Sequence, residues 1–473
     1  MVSIDELQRL VEEASSNGAE YAEARYHRVE GQSLMFYNGM LVGASQPLTE
    51  GVAIRVLYKG SMGFSSTSDL TPSGLREALQ RAISAARSSL RQVKRATSVG
   101  HAFLGSARYS VVERKPLLDM SLEDKISDLS ERLKSVDFSR EGMKVNSYTL
   151  SYGERIEHKL TVTNDGAMVE SRIPRVALFY NITASAGERR ANRWNQLGAS
   201  GGYEAVSSLR VAEEMARDLD SLHINLVKAK SPPQGTMDVV LGPEIVGLAM
   251  HEAVGHPSEA DRIMGREAAQ AGLSYRRELK EGKIGSELVS VYDDPTIPGS
   301  YGFYLYDDEG VAARKRTLID RGRLAEMLHN RETAAAYGLE SNASARAIDH
   351  RSEPIVRMAN TYMAPGDHSF EEIIESVREG VYIAKYMEWN IDDYRWGARY
   401  VGLEAYVIRG GRIEEPVRNV VLEINTREFF SSVDAVGKDL TFSAGTCGKG
   451  EPPQPLPVTM GGPHVLLRGV RVK

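Results

Sequence analysis

The sequence predicts an α+β protein: duplicated helix–antiparallel sheet–helix units in the amino-terminal half, followed by a β-rich, metal-binding carboxy-terminal domain. Three observations predict it. Short alternating runs punctuated by Gly and Asn are bracketed twice by segments of helical period, and a Pro-Pro-Gln-Gly linker splits the chain near its middle. A chain of 473 residues also exceeds what one ordinary core holds, so several domains are expected.

The first unit spans residues 1–110. Ile4, Leu7, Leu10, Val11 and Ala14 recur at helical spacing between a Ser3 cap and a Gly18 stop. Alternation then predicts strands over 21–29, 32–37, 51–58 and 61–65, and Leu75, Ala78, Leu79, Ala82 and Ile83 return to a helix over 73–86. The second unit, 111–230, repeats the order with a helix over 121–136, strands over 144–151, 158–163, 168–172 and 176–184, and a helix over 206–219. Ser231 to Gly235 form the linker, because paired prolines continue neither ladder nor helix. The third domain, 231–473, opens with the strand Val239-Val240-Leu241 and a helix starting at Pro243, and it ends in β-rich sequence from Tyr400 to Val472.

Bulk composition excludes several functions. The 58 Lys+Arg against 64 Asp+Glu leave a net charge of −6, so no sequence-wide basic field draws the chain onto nucleic acid or an anionic membrane. The first residues form an acidic amphipathic pattern without the charge and apolar order of a secretory signal, and no apolar run is long enough for a bilayer. One cysteine makes no internal disulfide, so the expected address is cytoplasmic.

The chemistry concentrates in His251-Glu252-Ala253-Val254-Gly255-His256. Metallopeptidases commonly space two histidines four apart so that both rings leave one helix face, with the intervening Glu as general base. Here the spacing is five, and a regular α-helix would set the rings about 140° apart. Gly255 tolerates irregular dihedrals and Pro257 biases His256 away from the α region, so the helix is expected to loosen or end, and one π-type turn would bring the rings back together. A catalytic zinc site usually needs a third protein ligand. Cys447, set among glycines beside Lys449, is one candidate, and Glu259, Asp261, His350 and His368 are the others. A polar cluster from Arg346 to Met363 offers a substrate-binding wall and an oxyanion donor, with His350 and Tyr362 the expected participants. Asp307-Asp308-Glu309 and Glu371-Glu372 read as solvated faces.

Three segments carry a family resemblance: Met250-His-Glu-Ala-Val-Gly-His256, Arg357-Met-Ala-Asn-Thr-Tyr-Met-Ala-Pro-Gly-Asp367 and Gly445-Thr-Cys-Gly-Lys-Gly450. In them the chain resembles the TldD branch of the TldD/PmbA family, sometimes labelled modulators of DNA gyrase. The resemblance implies a metalloprotease with one Zn2+ per chain, bound by His251, His256 and, as third ligand, Cys447, with Glu252 as general base. It also implies small or unfolded peptide substrates and a dimer, either with an identical chain or with a related sister lacking the motif; this chain would be the catalytic member. Residues 257–273 depart from the pattern of bacterial members. The rival readings are a zinc-stabilised binding or scaffold protein without hydrolysis, and a direct gyrase modulator, which the acidic charge disfavours.

Overall fold

Local chemistry sets the first elements. The Ser3 hydroxyl accepts the Glu6 amide while the Glu6 carboxylate accepts the Ser3 amide, a reciprocal cap that starts the helix Ile4–Ser16. Thr71 caps the helix Pro72–Ser89, whose proline occupies the first turn, where its missing N–H is harmless. Leu7, Val11, Leu75, Leu79 and Ile83 pack with Val52, Ile54 and Val56 of the strand Leu48–Tyr58 in one core. The computed structural model describes residues 2–93, 96–266 and 273–473.

Both helix–sheet–helix runs share a single nine-stranded sheet. Its spine is the strand Lys144–Thr163, which pairs antiparallel with Tyr21–Glu30 and Ser33–Tyr37 of the first run and with Met168–Ala186 of the second. The expected breaks at 152–157 and 173–175 are absent. Polar residues there suggest turns, yet Arg175 pairs with Glu157 inside the protein, and the carbonyl of Pro174 accepts the Gly201 amide. Satisfied in this way, charged residues continue a buried ladder without cost large enough to end it. The expected helix over 206–219 divides into Glu204–Ser208 and Val211–His223, because Arg210 between them takes a left-handed conformation, φ +47°. The strands Met40–Ser45, Ser106–Ser110 and Arg189–Ser200 are the ones the sequence pattern did not disclose.

Residues 231–234 carry no regular structure, and the strand Gly235–Leu241 begins directly after them. It lies parallel to Glu379–Ile391 and antiparallel to Val465–Val472 in a seven-stranded sheet. A second seven-stranded sheet ends in the order Asn360–Met363, Leu456–Gly462, Thr441–Cys447, which puts the last of these at its edge. The helix Pro243–Met250 packs between the two sheets, burying Ile245, Val246, Leu248, Ala249 and Met250. Cys447, ending the edge strand, thereby reaches the carboxy-terminal end of this helix.

Asp307, Asp308 and Glu309 are not a solvated face. All three are buried, and Asp308, paired with Lys159 at 2.6 Å, and Glu309, paired with Arg55 at 2.5 Å, tie the carboxy-terminal half to the amino-terminal sheet. Among the described residues, no helix is long and apolar enough to cross a membrane.

Candidate metal centre

The helix Pro243–Met250 widens over His251–Gly255 into a π turn, closed by the His256 amide on the His251 carbonyl, and then tightens into a 3-10 turn over His256–Ser258. The i to i+5 closure is the remedy the five-residue spacing called for. Two details differ from expectation. His256 stays in the α region, at φ −56° and ψ −46°, despite the proline after it. Gly255, at φ −61°, needs no special dihedral; it is needed for space, because a Cβ there would lie 1.8 Å from Met358 Sδ.

Neighbours, not an altered His256 conformation, absorb the proline. Pro257 has no N–H for the Ala253 carbonyl, and the Tyr275 hydroxyl donates to it instead at 2.8 Å. Ser258 Oγ donates to the Val254 carbonyl at 2.6 Å, and Ser274 Oγ to that of Pro257 at 2.8 Å.

This turn sets the two imidazoles edge to face, with centroids 4.9 Å apart. Cys447 Sγ lies 3.3 Å from His256 Nε2, and one ligand atom each from His251, His256 and Cys447 fall within 4.8 Å of one another. All three side chains are buried. His256 Nδ1 donates to Glu259 Oε2 at 3.0 Å, which fixes the tautomer that leaves Nε2 free toward Cys447. Glu259 is itself held by Arg262 at 3.3 Å and Lys449 at 3.4 Å.

Electrostatics favour the ligand forms. Burial lowers the pKa of His251 and pushes that of His256 well below the usual imidazole range, so both are neutral. Burial alone would raise the Cys447 thiol, but the His256 ring and the Arg357 guanidinium outweigh it and bring it down to about 7. Arg357 also donates to the Cys447 carbonyl and, at 2.6 Å, to that of Gln454, fixing the loop that carries the sulfur. Two neutral imidazoles and a readily ionised thiol suit zinc, and His251 Nδ1 is buried without a hydrogen-bond partner. A zinc ion held by these three residues alone would keep a fourth position for an exchanging group, as catalytic sites do.

The three residues open onto a cleft of about 320 Å³, walled by Trp194, Leu248, Tyr386, Trp389 and Met460. Glu252 lines it too and forms an ion pair with Arg395.

Residues 234–473 match the profile of the PmbA/TldA metallopeptidase C-terminal domain, residues 22–86 that of domain 1, and residues 115–222 that of the central domain. The chain belongs to the PmbA/TldA metallopeptidase family. It is 36% identical to a metalloprotease of Methanothermobacter thermautotrophicus, over 96% of this chain and 95% of that one. It is 28% identical to the zinc metalloprotease TldD homolog of Saccharolobus solfataricus, over 98% and 99%. TldE from Thermococcus kodakarensis shares the fold, with a TM-score of 0.75 at 18% identity and 99% of each chain covered. A Thermotoga maritima protein crystallised as a candidate modulator of a DNA gyrase does so too, at 0.78 and 20%, again over 99% of each.

The remaining candidates stand outside the ligand group. Glu259 orients His256, and Asp261 pairs with Lys449 at 2.7 Å. His368 is exposed and bridges to Gly437. His350 and Tyr362 do not line the cleft. The short hairpin Ala345–Arg346 with Ile355–Val356 carries residues 349–352 to the amino-terminal sheet, where His350 Nε2 meets Ser68 Oγ at 3.1 Å. Tyr362 packs edge-on against Phe442, centroids 5.5 Å apart, and burial raises its phenol to about 12. From that polar segment it is Arg357 and Met358 that touch the centre. Sequence reasoning missed Arg395 and the aromatic wall, whose residues stand in ordinary strand and turn patterns. Of the divergent stretch 257–273, residues 267–272 lie outside the described residues.

Proposed function

We propose that this chain is a zinc-dependent peptidase, with one zinc ion held by His251, His256 and Cys447 and with Glu252 as general base. The observation that carries the reading is the convergence of those three ligand atoms within 4.8 Å, at a π turn whose neighbouring residue is a carboxylate facing the cleft. When bound, zinc supplies Lewis acidity to water and to the scissile carbonyl. Glu252 takes a proton from the attacking water on its carboxylate and passes it to the departing amine. Glu259 keeps the His256 ring in its binding tautomer, and the aromatic wall limits water around the peptide.

A cleft of about 320 Å³ accepts an extended segment and not a folded domain, which supports small or unfolded peptides as substrates. The lone cysteine, which asks for no oxidising compartment, supports a cytoplasmic address, and the family resemblance supports pairing with an identical or sister subunit. A second reading, a zinc-stabilised scaffold without hydrolysis, is favoured by the Arg395 ion pair that occupies Glu252.

Metal analysis combined with hydrolysis of an unfolded reporter peptide separates the two. Wild type is expected to carry one zinc per chain and to lose turnover on chelation. Glu252→Gln should keep the metal and lose about 10²–10⁴ in rate. Equal turnover in that variant removes the base assignment, and a metal-loaded wild type inert toward every peptide leaves the scaffold.

A further inference from the structure

We infer that Arg395 is a catalytic residue of this cleft, its guanidinium donating to the scissile carbonyl oxygen as negative charge develops there. The inference rests on the peptidase reading. A donor at that oxygen would add to the polarisation a bound metal gives the carbonyl, and the two residues expected to supply one, His350 and Tyr362, lie outside the cleft. Among the described residues lining it, Arg395 is the only Lys or Arg.

Its placement is specific. The guanidinium pairs with Glu252, the residue next to His251, so it stands at the reacting centre and not at a distant subsite. Its Nε is buried without a hydrogen-bond partner. The backbone is left-handed, φ +62°, a conformation that costs a non-glycine residue roughly 1–2 kcal/mol and persists only where neighbours impose it. They do so here. The Arg395 amide donates to the Asp392 carbonyl at 2.9 Å, and Thr426 Oγ1 donates to the Arg395 carbonyl at 3.0 Å. The preceding carbonyl, that of Tyr394, accepts the Tyr275 amide at 3.0 Å, while the Trp396 ring meets the Tyr275 ring edge-on at 5.4 Å. Tyr275 is the residue whose hydroxyl satisfies Ala253 in the π turn. One tyrosine therefore locks the turn presenting the guanidinium to the turn presenting the imidazoles.

The charges balance along the reaction. As the water oxygen bonds to the carbonyl carbon, its proton passes to Glu252 and the carbonyl π pair moves onto oxygen. Negative charge leaves the carboxylate and appears on the former carbonyl, within reach of the same guanidinium. When the C–N bond breaks, the oxygen returns its pair to carbon, the amine takes the proton from Glu252, and the carboxylate regains its partner. The ion pair is thus a resting position from which Arg395 follows the charge.

The test uses zinc-loaded wild type, Arg395→Ala and Arg395→Lys with a reporter peptide blocked at both ends, together with its phosphinic isostere as a tetrahedral mimic. For Arg395→Ala, kcat should fall about 10²–10³-fold with KM nearly constant, and Arg395→Lys should recover part of the loss. Calorimetric affinity for the isostere should fall by a similar factor. Affinity for the intact peptide should be equal in Glu252→Gln and in the double variant E252Q/R395A. A kcat within about threefold of wild type overturns the inference. So does a KM effect confined to peptides with a free carboxy terminus, which would make Arg395 a carboxylate reader, or loss of zinc in both variants, which would make it structural. A loaded wild type that neither cleaves the peptide nor binds the isostere defeats the peptidase reading itself, and this inference with it.

Discussion

Among the described residues two helices end in a π turn, and one of the turns brings candidate metal ligands together. Over Ile224–Lys228, after the helix Val211–His223, the Ala229 amide closes on the Ile224 carbonyl at 2.8 Å, and the chain leaves in extended conformation. Asn225 Nδ2 donates to the Leu403 carbonyl at 2.7 Å, and Leu226 is buried in the core. Over His251–Gly255 the same closure is made, but the positions five apart are two histidines instead of Ile224 and Ala229. A distant edge strand adds a thiol, and Glu259 orients one of the rings. The widened turn is therefore a way to redirect a helix; it becomes a candidate metal centre where histidines occupy its closing positions and other elements converge on them.

Substitution of Gly255 breaks the contrast most severely. Gly255→Ala puts a methyl group 1.8 Å from Met358 Sδ, so either the turn or the methionine moves. The expected cost is about 1–3 kcal/mol, with His256 displaced and zinc lost. Thermal melting and metal analysis would read both, and Gly255→Ala/Met358→Ala should recover part of each. A single variant with wild-type melting and full zinc would show that the close contact does not govern the turn.

A smaller effect comes from pH in the metal-free chain. Folding holds Cys447 at about 7 against an ordinary 9.0, and holds His256 well below its ordinary 6.5. Both folded values are depressed. The cysteine contribution is complete above pH 9 and is lost as pH falls toward 7; the histidine contribution is lost below about 6.5. The melting temperature should drop across both windows on acidification, and Cys447→Ser should flatten the upper one. An unchanged upper slope in that variant would refute the pairing of thiol with imidazole.

The least effect belongs to the other turn. Asn225→Ala removes a buried bond to Leu403 and should cost about 1 kcal/mol, leaving zinc content and peptide turnover at wild-type levels. A fall in either would mean that the two turns are coupled.

Much of this was legible in advance. The helix at 4–16 follows from Ser3 and the apolar period, the helix at 72–89 from its apolar period without its Thr71 cap, and five-residue spacing with a flanking proline pointed to the widened turn. What escaped were long ladders interrupted by polar residues, because Glu157 and Arg175 look like turn residues until their mutual pairing is seen. His350 and Tyr362 share a polar segment with Arg357, yet a short hairpin and a strand send the three in different directions. Arg395 left no signal, since an arginine in a turn between strands is ordinary.

The sequence by itself determined the mixed α+β class, the place where a helix must widen, and the set of residues from which metal ligands could be drawn, because caps, periodicity and spacing act within a few residues. Tertiary structure alone decided which candidates meet. Cys447 stands 191 residues from His256, and Arg395 143 from Glu252. Contacts at such separations are fixed by sheet order and packing, on which local pattern has no purchase.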